Sequence, residues 1–351
     1  MRSAFKHKLG RAAFALILLA MCGHSAFAGA WTKQRSGTLA WLHAVYFLNG
    51  QKGWAVGGSG VLLSTTDGGE NWKIMRPPTE DAVRDIYFAD EQRGWLVCER
   101  SIYQLRAKDE QRSYLMNTSD GGGTWRRVNL NGDPDARLLR VLMTTDGHGW
   151  VFGEGGMIFA TGDGGASWSK RRTPTRHVLF GGSFLDAMQL WLVGAGATVI
   201  SSKDGGESWR MGNVLGITEG VRFASVSFVD RSRGWAVGNA GSVFLTADGG
   251  RTWQAQTSNV VEDLFDVKFI DASEGWAVGA GGVLIHTTDG GFHWAEEATG
   301  TTHPFDRIFF MGRERGWAVG FGGTIFSYNT AATDKAPALK QPPGLKGASN
   351  H

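Results

Sequence analysis

Cysteine is nearly absent, with two residues in 351, Cys22 and Cys98. Cys22 lies within an apparent export leader, so a processed chain keeps only Cys98 and no internal disulfide can form, even in an oxidising compartment. Tyrosine (5) and proline (8) are also scarce. Beyond the leader no apolar run approaches the roughly 20 residues that span a bilayer. Net charge is missing too. The formal +3 rests on Arg2, Lys6, Lys8 and Arg11, and the remainder holds 32 basic against 33 acidic residues, a net of −1. A chain so nearly neutral has no global field for gathering nucleic acid, and that class is set aside.

The leader has three parts. Residues 2–11 are basic, residues 12–21 are uncharged and apolar, and Ala26-Phe27-Ala28 supplies small residues for cleavage before Gly29. The product is therefore expected to be exported and periplasmic. Leu19-Ala20-Met21-Cys22 offers an alternative, lipid anchoring at Cys22, but Met21 stands where a small residue belongs.

What the chain has in excess is glycine (52) and tryptophan (15). A Gly-Trp-type motif recurs at Trp54, Trp95, Trp150, Trp191, Trp235, Trp276 and Trp317, four of the six intervals being 41 residues. An aspartate opening Asp-Gly-Gly follows thirteen residues later at Asp67, Asp163, Asp204, Asp248 and Asp289, and 25 later at Asp120. Five residues beyond each aspartate is a second tryptophan. Seven residues before each first tryptophan is a phenylalanine, replaced once by Met143. A repeat of this period decides the architecture before local propensity does. Each unit reads as four short strands; in the sixth they are residues 264–270, 275–278, 283–287 and 293–297. No stretch sustains a helical apolar period.

Seven Gly-Trp motifs face only six Asp-Gly-Gly turns. The seventh unit stops before its fourth strand, and Trp31 precedes Trp54 by 23 residues, the interval separating Trp72 from Trp95. Trp31 therefore belongs to the strand that completes the last unit. The expected fold is an all-β, seven-bladed β-propeller over residues 29–330, its ring closed by the N-terminal strand completing blade 7. Residues 1–28 are then the leader and residues 331–351 a flexible, proline-containing tail. Trp41 is left outside the scheme.

The aspartates sit in Thr/Ser-x-Asp-x-Gly-x-x-Trp turns, or Asp-boxes. Asp67, Asp120, Asp163, Asp204, Asp248 and Asp289 are read as structural, each accepting hydrogen bonds inside its own hairpin. Six copies around a ring cannot converge on one substrate, and the alternating acids of a calcium loop are missing. The second tryptophan is expected to pack between blades. No metal site or cofactor is expected: His286 and His293 lack a third ligand, and the Gly-x-Gly pieces are turns between strands.

Function is sought where symmetry fails. At or near the start of the innermost strands, on the so-called top face, stand His43, Arg84, Arg140, Arg222 and Arg307. Arg137, Arg176 and His177 lie in nearby inter-blade connections. They are candidates for reading an anionic or hydrogen-bonding partner; solvated charges and inter-blade ion pairs are the plain alternative. Blade 2 carries twelve extra residues within 98–113, making Arg100, Tyr103, Arg106, Lys108, Arg112 and Tyr114 a basic, aromatic projection. It is read as a contact surface, with a tolerated excursion as the alternative.

The Gly-Trp-Ala-Val-Gly-type strand, seven times round and paired six times with an Asp-box behind a secretory leader, resembles the photosystem II stability/assembly factor family of chloroplasts and cyanobacteria. The resemblance covers residues 31–329. It implies a non-enzymatic propeller whose arginine patch binds newly inserted photosystem II reaction-centre protein, with Arg84, Arg140, Arg222 and Arg307 the positions for that patch. The expected partner is a membrane-protein segment or envelope complex, and the protein a monomer, peripheral to the membrane at most. An exo-acting glycosidase or sialidase is the competing reading. It would need converging arginines and a Tyr/Glu pair, and such enzymes usually have six blades.

Overall fold

In the computed structural model, which describes residues 29–105, 110–130, 137–217 and 220–330, each Gly-Trp-type motif lies on the second strand of an antiparallel sheet. There are seven such sheets. Blade 1 is typical: Leu42–Phe47 innermost, then Gly53–Gly57, Leu62–Thr65 and Lys73–Ile74. The remaining innermost strands are Ala82–Phe88, Leu138–Met143, Leu179–Phe184, Phe223–Phe228, Leu264–Phe269 and Phe305–Met311, and each contacts the next around the axis until the last meets the first. No α-helix occurs among the described residues. The leader, Cys22 and the tail from residue 331 lie outside them. Cys98 is a free, buried thiol.

Closure follows the tryptophan spacing. Ala30–Gln34 pairs antiparallel with Ile325–Asn329 as the outermost strand of blade 7, with Trp31 opposite Tyr328. Blade 5 gains an unexpected fifth strand, Asn213–Val214, which arrives from blade 4 and pairs parallel with Thr252 and Trp253.

There is no single core. Seven apolar clusters occupy the seven blade interfaces, six of them with the same three rings and one with Met143 in place of the phenyl. Between blades 5 and 6, Trp235 stacks on Phe269 at 3.5 Å and 5°, and Trp294 meets that phenyl edge-on at 5.7 Å. Between blades 7 and 1, Trp317 stacks on Phe47 at 3.5 Å and Trp72 meets it edge-on at 5.9 Å. Both tryptophans of the repeat thus enter the interface, but the Gly-Trp ring makes the stack and the Asp-box ring braces the phenyl. Blade 3 departs from this pattern on both sides. Trp95 packs against the Met143 cluster, and Trp150 lies 6.2 Å from Phe184 at 41°, too tilted to stack.

The six Asp-Gly-Gly turns share one bonding pattern. Thr65 donates its hydroxyl to Asp67 at 2.7 Å and accepts the Gly69 amide at 3.0 Å, while Asp67 accepts the Asn71 amide at 2.9 Å. The same three bonds recur at Asp120, Asp163, Asp204, Asp248 and Asp289. Gly69 has φ +93°, and a Cβ there would come within 3.1 Å of the Trp317 indole nitrogen, so glycine is required twice over. Donors gathered on each carboxylate, led by the Asn71 amide at Asp67 and the Ser167 hydroxyl at Asp163, push the carboxyls of Asp67, Asp120, Asp163, Asp204 and Asp289 down to about 2. Turn and stack are joined: Trp191, Trp235 and Trp317 donate to the Gly249, Gly290 and Gly68 carbonyls of the next blade's turn, each at 2.9 Å.

Candidate functional site

Every innermost strand begins with a β-bulge at the same register. The bulged residue falls eleven positions before the blade's Gly-Trp tryptophan: His43, Arg84, Leu139, Phe180, Ala224, Phe265 and Asp306. A bulge re-aims its side chain, and here all seven line the mouth of the axial channel. With Trp41, Arg137, Arg140 and Arg222 they enclose a cavity of about 300 Å³. One wall is apolar (Leu139, Phe180, Ala224, Phe265) and the other polar and basic.

The polar wall is a hydrogen-bonded chain. Asp306 accepts the Trp41 indole N–H at 2.7 Å and contacts His43 Nδ1 at 3.0 Å. Arg84 Nη1 lies 3.2 Å from His43 Nε2. A guanidinium can only donate, so Nε2 accepts, the ring proton sits on Nδ1, and His43 is neutral. Arg84 also donates from Nε to Glu99 at 2.6 Å, and Arg137 Nη2 reaches the same carboxylate at 2.9 Å. Burial opposes ionisation of Glu99, but Arg137 and Arg84 outweigh it and hold the carboxyl below its ordinary range. Arg222 stands exposed at the rim, paired with Asp263 at 2.7 Å.

A second tier lies one residue deeper. Here Asp85, Arg140, Ser225, Asp266 and Arg307 line the channel, each ten positions before its tryptophan. Arg307 sits between Asp85 (3.2 Å) and Asp266 (3.9 Å). Asp85 accepts the Val141 amide at 2.9 Å, and Asp266 accepts the Ile308 amide at 3.0 Å and the Ser225 hydroxyl. Burial pushes Asp85 up to about 6 against the field of Arg140, and burial also raises Asp266. The arginines expected on one face therefore occupy different depths. Arg84 and Arg222 line the mouth, Arg140 reaches both tiers with its Nε donating to the Phe180 carbonyl at 2.9 Å, and Arg307 is a charge-balanced member of the channel wall.

Arg176 and His177 are not part of this cluster. They line a separate cavity between blades 4 and 5, beside Asn213 and Ile217, where His177 Nδ1 meets the Thr198 hydroxyl at 2.8 Å. In the blade 2 excursion Tyr103 is 91% exposed, whereas Arg100 pairs with Asp81 and Glu110, and Arg112 with Glu99 and Glu154. Tyr114 does not project. It is 3% exposed, its hydroxyl donates to Asp81 at 2.6 Å, and its ring lies beneath Arg127, because the third strand has already begun there. Arg106 and Lys108 lie outside the described residues. The six Asp-box aspartates are at the opposite end of the ring. The site residues not anticipated are the apolar wall and Trp41, whose signal was its being the one tryptophan the repeat does not use.

Comparison with known proteins agrees with the fold. The model of the photosystem II assembly factor YCF48 family matches residues 70–176, 168–259, 215–300 and 255–329. A curated relative, the photosystem II assembly lipoprotein Ycf48 of Synechococcus sp. (strain CC9902), is 26% identical over 101 residues, which span 28% of this chain and only 26% of the relative. A solved structure of YCF48 bound to a D1 peptide superposes with TM-score 0.69 at 20% identity, covering 86% of this chain and 94% of that one. YCF48 from Cyanidioschyzon merolae gives 0.70 at 20% identity, covering 86% and 99%.

Proposed function

Because the chain belongs to the photosystem II assembly factor YCF48 family, we propose that it is an exported, non-catalytic assembly or stability factor whose channel mouth holds a segment of a membrane protein. It acts as a monomer at the periphery of the membrane, with residues 1–28 as leader and residues 331–351 as tail. The observation that carries this reading is the mouth itself: guanidinium groups held by fixed partners on one side, and Leu139, Phe180 and Phe265 on the other. Such a site suits an extended peptide offering a carboxylate to Arg84, Arg137 and Arg222 and an apolar side chain to the opposite wall. A structural neighbour that carries a D1 peptide supports a peptide as the occupant. The related lipoprotein supports export.

A glycosidase would need two carboxylates facing one bond. Among the described residues lining the mouth only Asp306 is acidic, and Trp41 and His43 already engage it. This supports the non-catalytic reading. The test is fluorescence anisotropy with a labelled D1 peptide. Arg84→Ser combined with Arg222→Ser should weaken binding about tenfold or more while the thermal midpoint stays put. Equal affinity of variant and parent would remove the mouth as the binding site.

A further inference from the structure

We propose that the end of the toroid bearing the channel mouth seats on an anionic lipid bilayer. The inference concerns the rim of loops around the mouth, which shares only Trp41 with the mouth cavity, and stands whether or not the mouth captures a peptide.

Two independent distributions point to it. The first is apolar. Twelve large apolar side chains stand exposed among the described residues. Six of them, Leu39, Trp41, Ile102, Tyr103, Val261 and Phe321, lie in the loops at the mouth end, whereas the loops at the opposite end contribute Met188 and Phe292. Leu39 is 88% exposed and Val261 81%. The six form three groups around the ring: the connection into blade 1 together with a blade 7 turn, where Trp41 meets Phe321 at 5.3 Å, the blade 2 excursion, and the connection into blade 6. Separate tips of this kind do not make one contiguous patch for a protein epitope. A fluid interface meets them all at once, and tryptophan and tyrosine favour its headgroup layer.

The second distribution is charge. Arg35, Arg76, Arg172 and Arg176 are exposed in the inter-blade connections of this end, none within ion-pair reach of a carboxylate among the described residues. Among the described residues, Asp81, Glu99 and Asp263 at the same end are already paired with Arg100, Arg84 and Arg222, leaving Glu80, Glu262 and Asp306, whose histidine partner is neutral, against four arginines. At the opposite end the Asp-box aspartates are ionised at neutral pH, their carboxyls held down by their own turns. The ring is therefore polar along its axis, and an anionic surface draws the mouth end towards it.

The test uses the chain from Gly29 onward, which contains every strand of the ring. It is sedimented with vesicles of phosphatidylglycerol and phosphatidylethanolamine, or of phosphatidylcholine alone, with no peptide present. The parent should sediment with the anionic vesicles and be released by salt. The triple variant Leu39→Asp, Tyr103→Asp, Val261→Asp should bind about tenfold more weakly or worse, as should Arg76→Ser, Arg172→Ser, Arg176→Ser. Met188→Asp with Phe292→Asp should bind as the parent does. Trp41 gives a local readout: vesicles should shift its emission to the blue, and Trp41→Phe should remove that shift. Thermal midpoints near the parent's certify that the variants fold. Absence of parental binding to anionic vesicles, or equal loss in the opposite-end control, would overturn the proposal.

Discussion

The two ends of the toroid are built from the same strands yet follow different rules. At the Asp-turn end one set of three hydrogen bonds occurs six times, and each turn receives the indole of a neighbour where that bond forms. At the mouth end the seven equivalent bulged positions carry six residue types: His43, Arg84, Leu139, Phe180, Ala224, Phe265 and Asp306. Repetition marks the end that holds the blades in place, and variety marks the end that can recognise something. The channel's second tier lies between them. Its residues vary from blade to blade, but Arg307 is sandwiched between two acids, so its variety serves charge balance rather than contact.

That division can be broken by substitution. The largest effect is expected from Arg307→Glu, which places a third carboxylate beside Asp85 and Asp266 and should cost about 3–5 kcal/mol in urea unfolding. A cost near zero would return Arg307 to the contact surface. Thr246→Val comes next. It removes a buried hydroxyl that bonds both Asp248 and the Gly250 amide, and should cost about 1–3 kcal/mol while leaving vesicle and peptide binding unchanged. A binding change there would show that the ends are not separable.

Acid sharpens the same comparison with the smallest effects. Asp85 sits at about 6, above its unfolded value, so stability gains as pH falls through 6, and the thermal midpoint should rise slightly from pH 7 to pH 5. Asp85→Asn should diminish that rise, Asp266 being raised by burial in the same direction. The Asp-turn carboxyls sit at about 2, below their unfolded values. Their contribution is complete above the ordinary carboxylate range and lost as pH falls through 2, so the midpoint should drop between pH 4 and pH 2.

Blade number and closure were legible in the sequence because both are periodic. The interval from Trp31 to Trp54 assigns the first strand to the last blade, and Ala30–Gln34 pairs there. The depth of the arginines was not legible without the bulge. Arg84 lies eleven residues before its tryptophan, Arg140 and Arg307 ten, and Arg222 thirteen, and one residue along a strand exchanges the mouth for the channel wall. Their partners were hidden for a different reason. Arg307 meets Asp85 across 222 positions of chain, a distance no local pattern reports. Tyr114 was misplaced because an insertion defined by length alone does not say where the following strand resumes.

The pairing of Ala30–Gln34 with Ile325–Asn329 joins positions nearly 300 residues apart in sequence. Until Ile325–Asn329 is in place, Ala30–Gln34 has no partner strand and the ring stays open between blades 7 and 1. The final strand pairing is therefore a completeness check: a chain truncated just before residue 325 keeps the first two strands of blade 7 but lacks the one that receives its own beginning. Sealing the ring thus waits on the last strand of the chain, and an unfinished chain keeps its edges open to pairing with another.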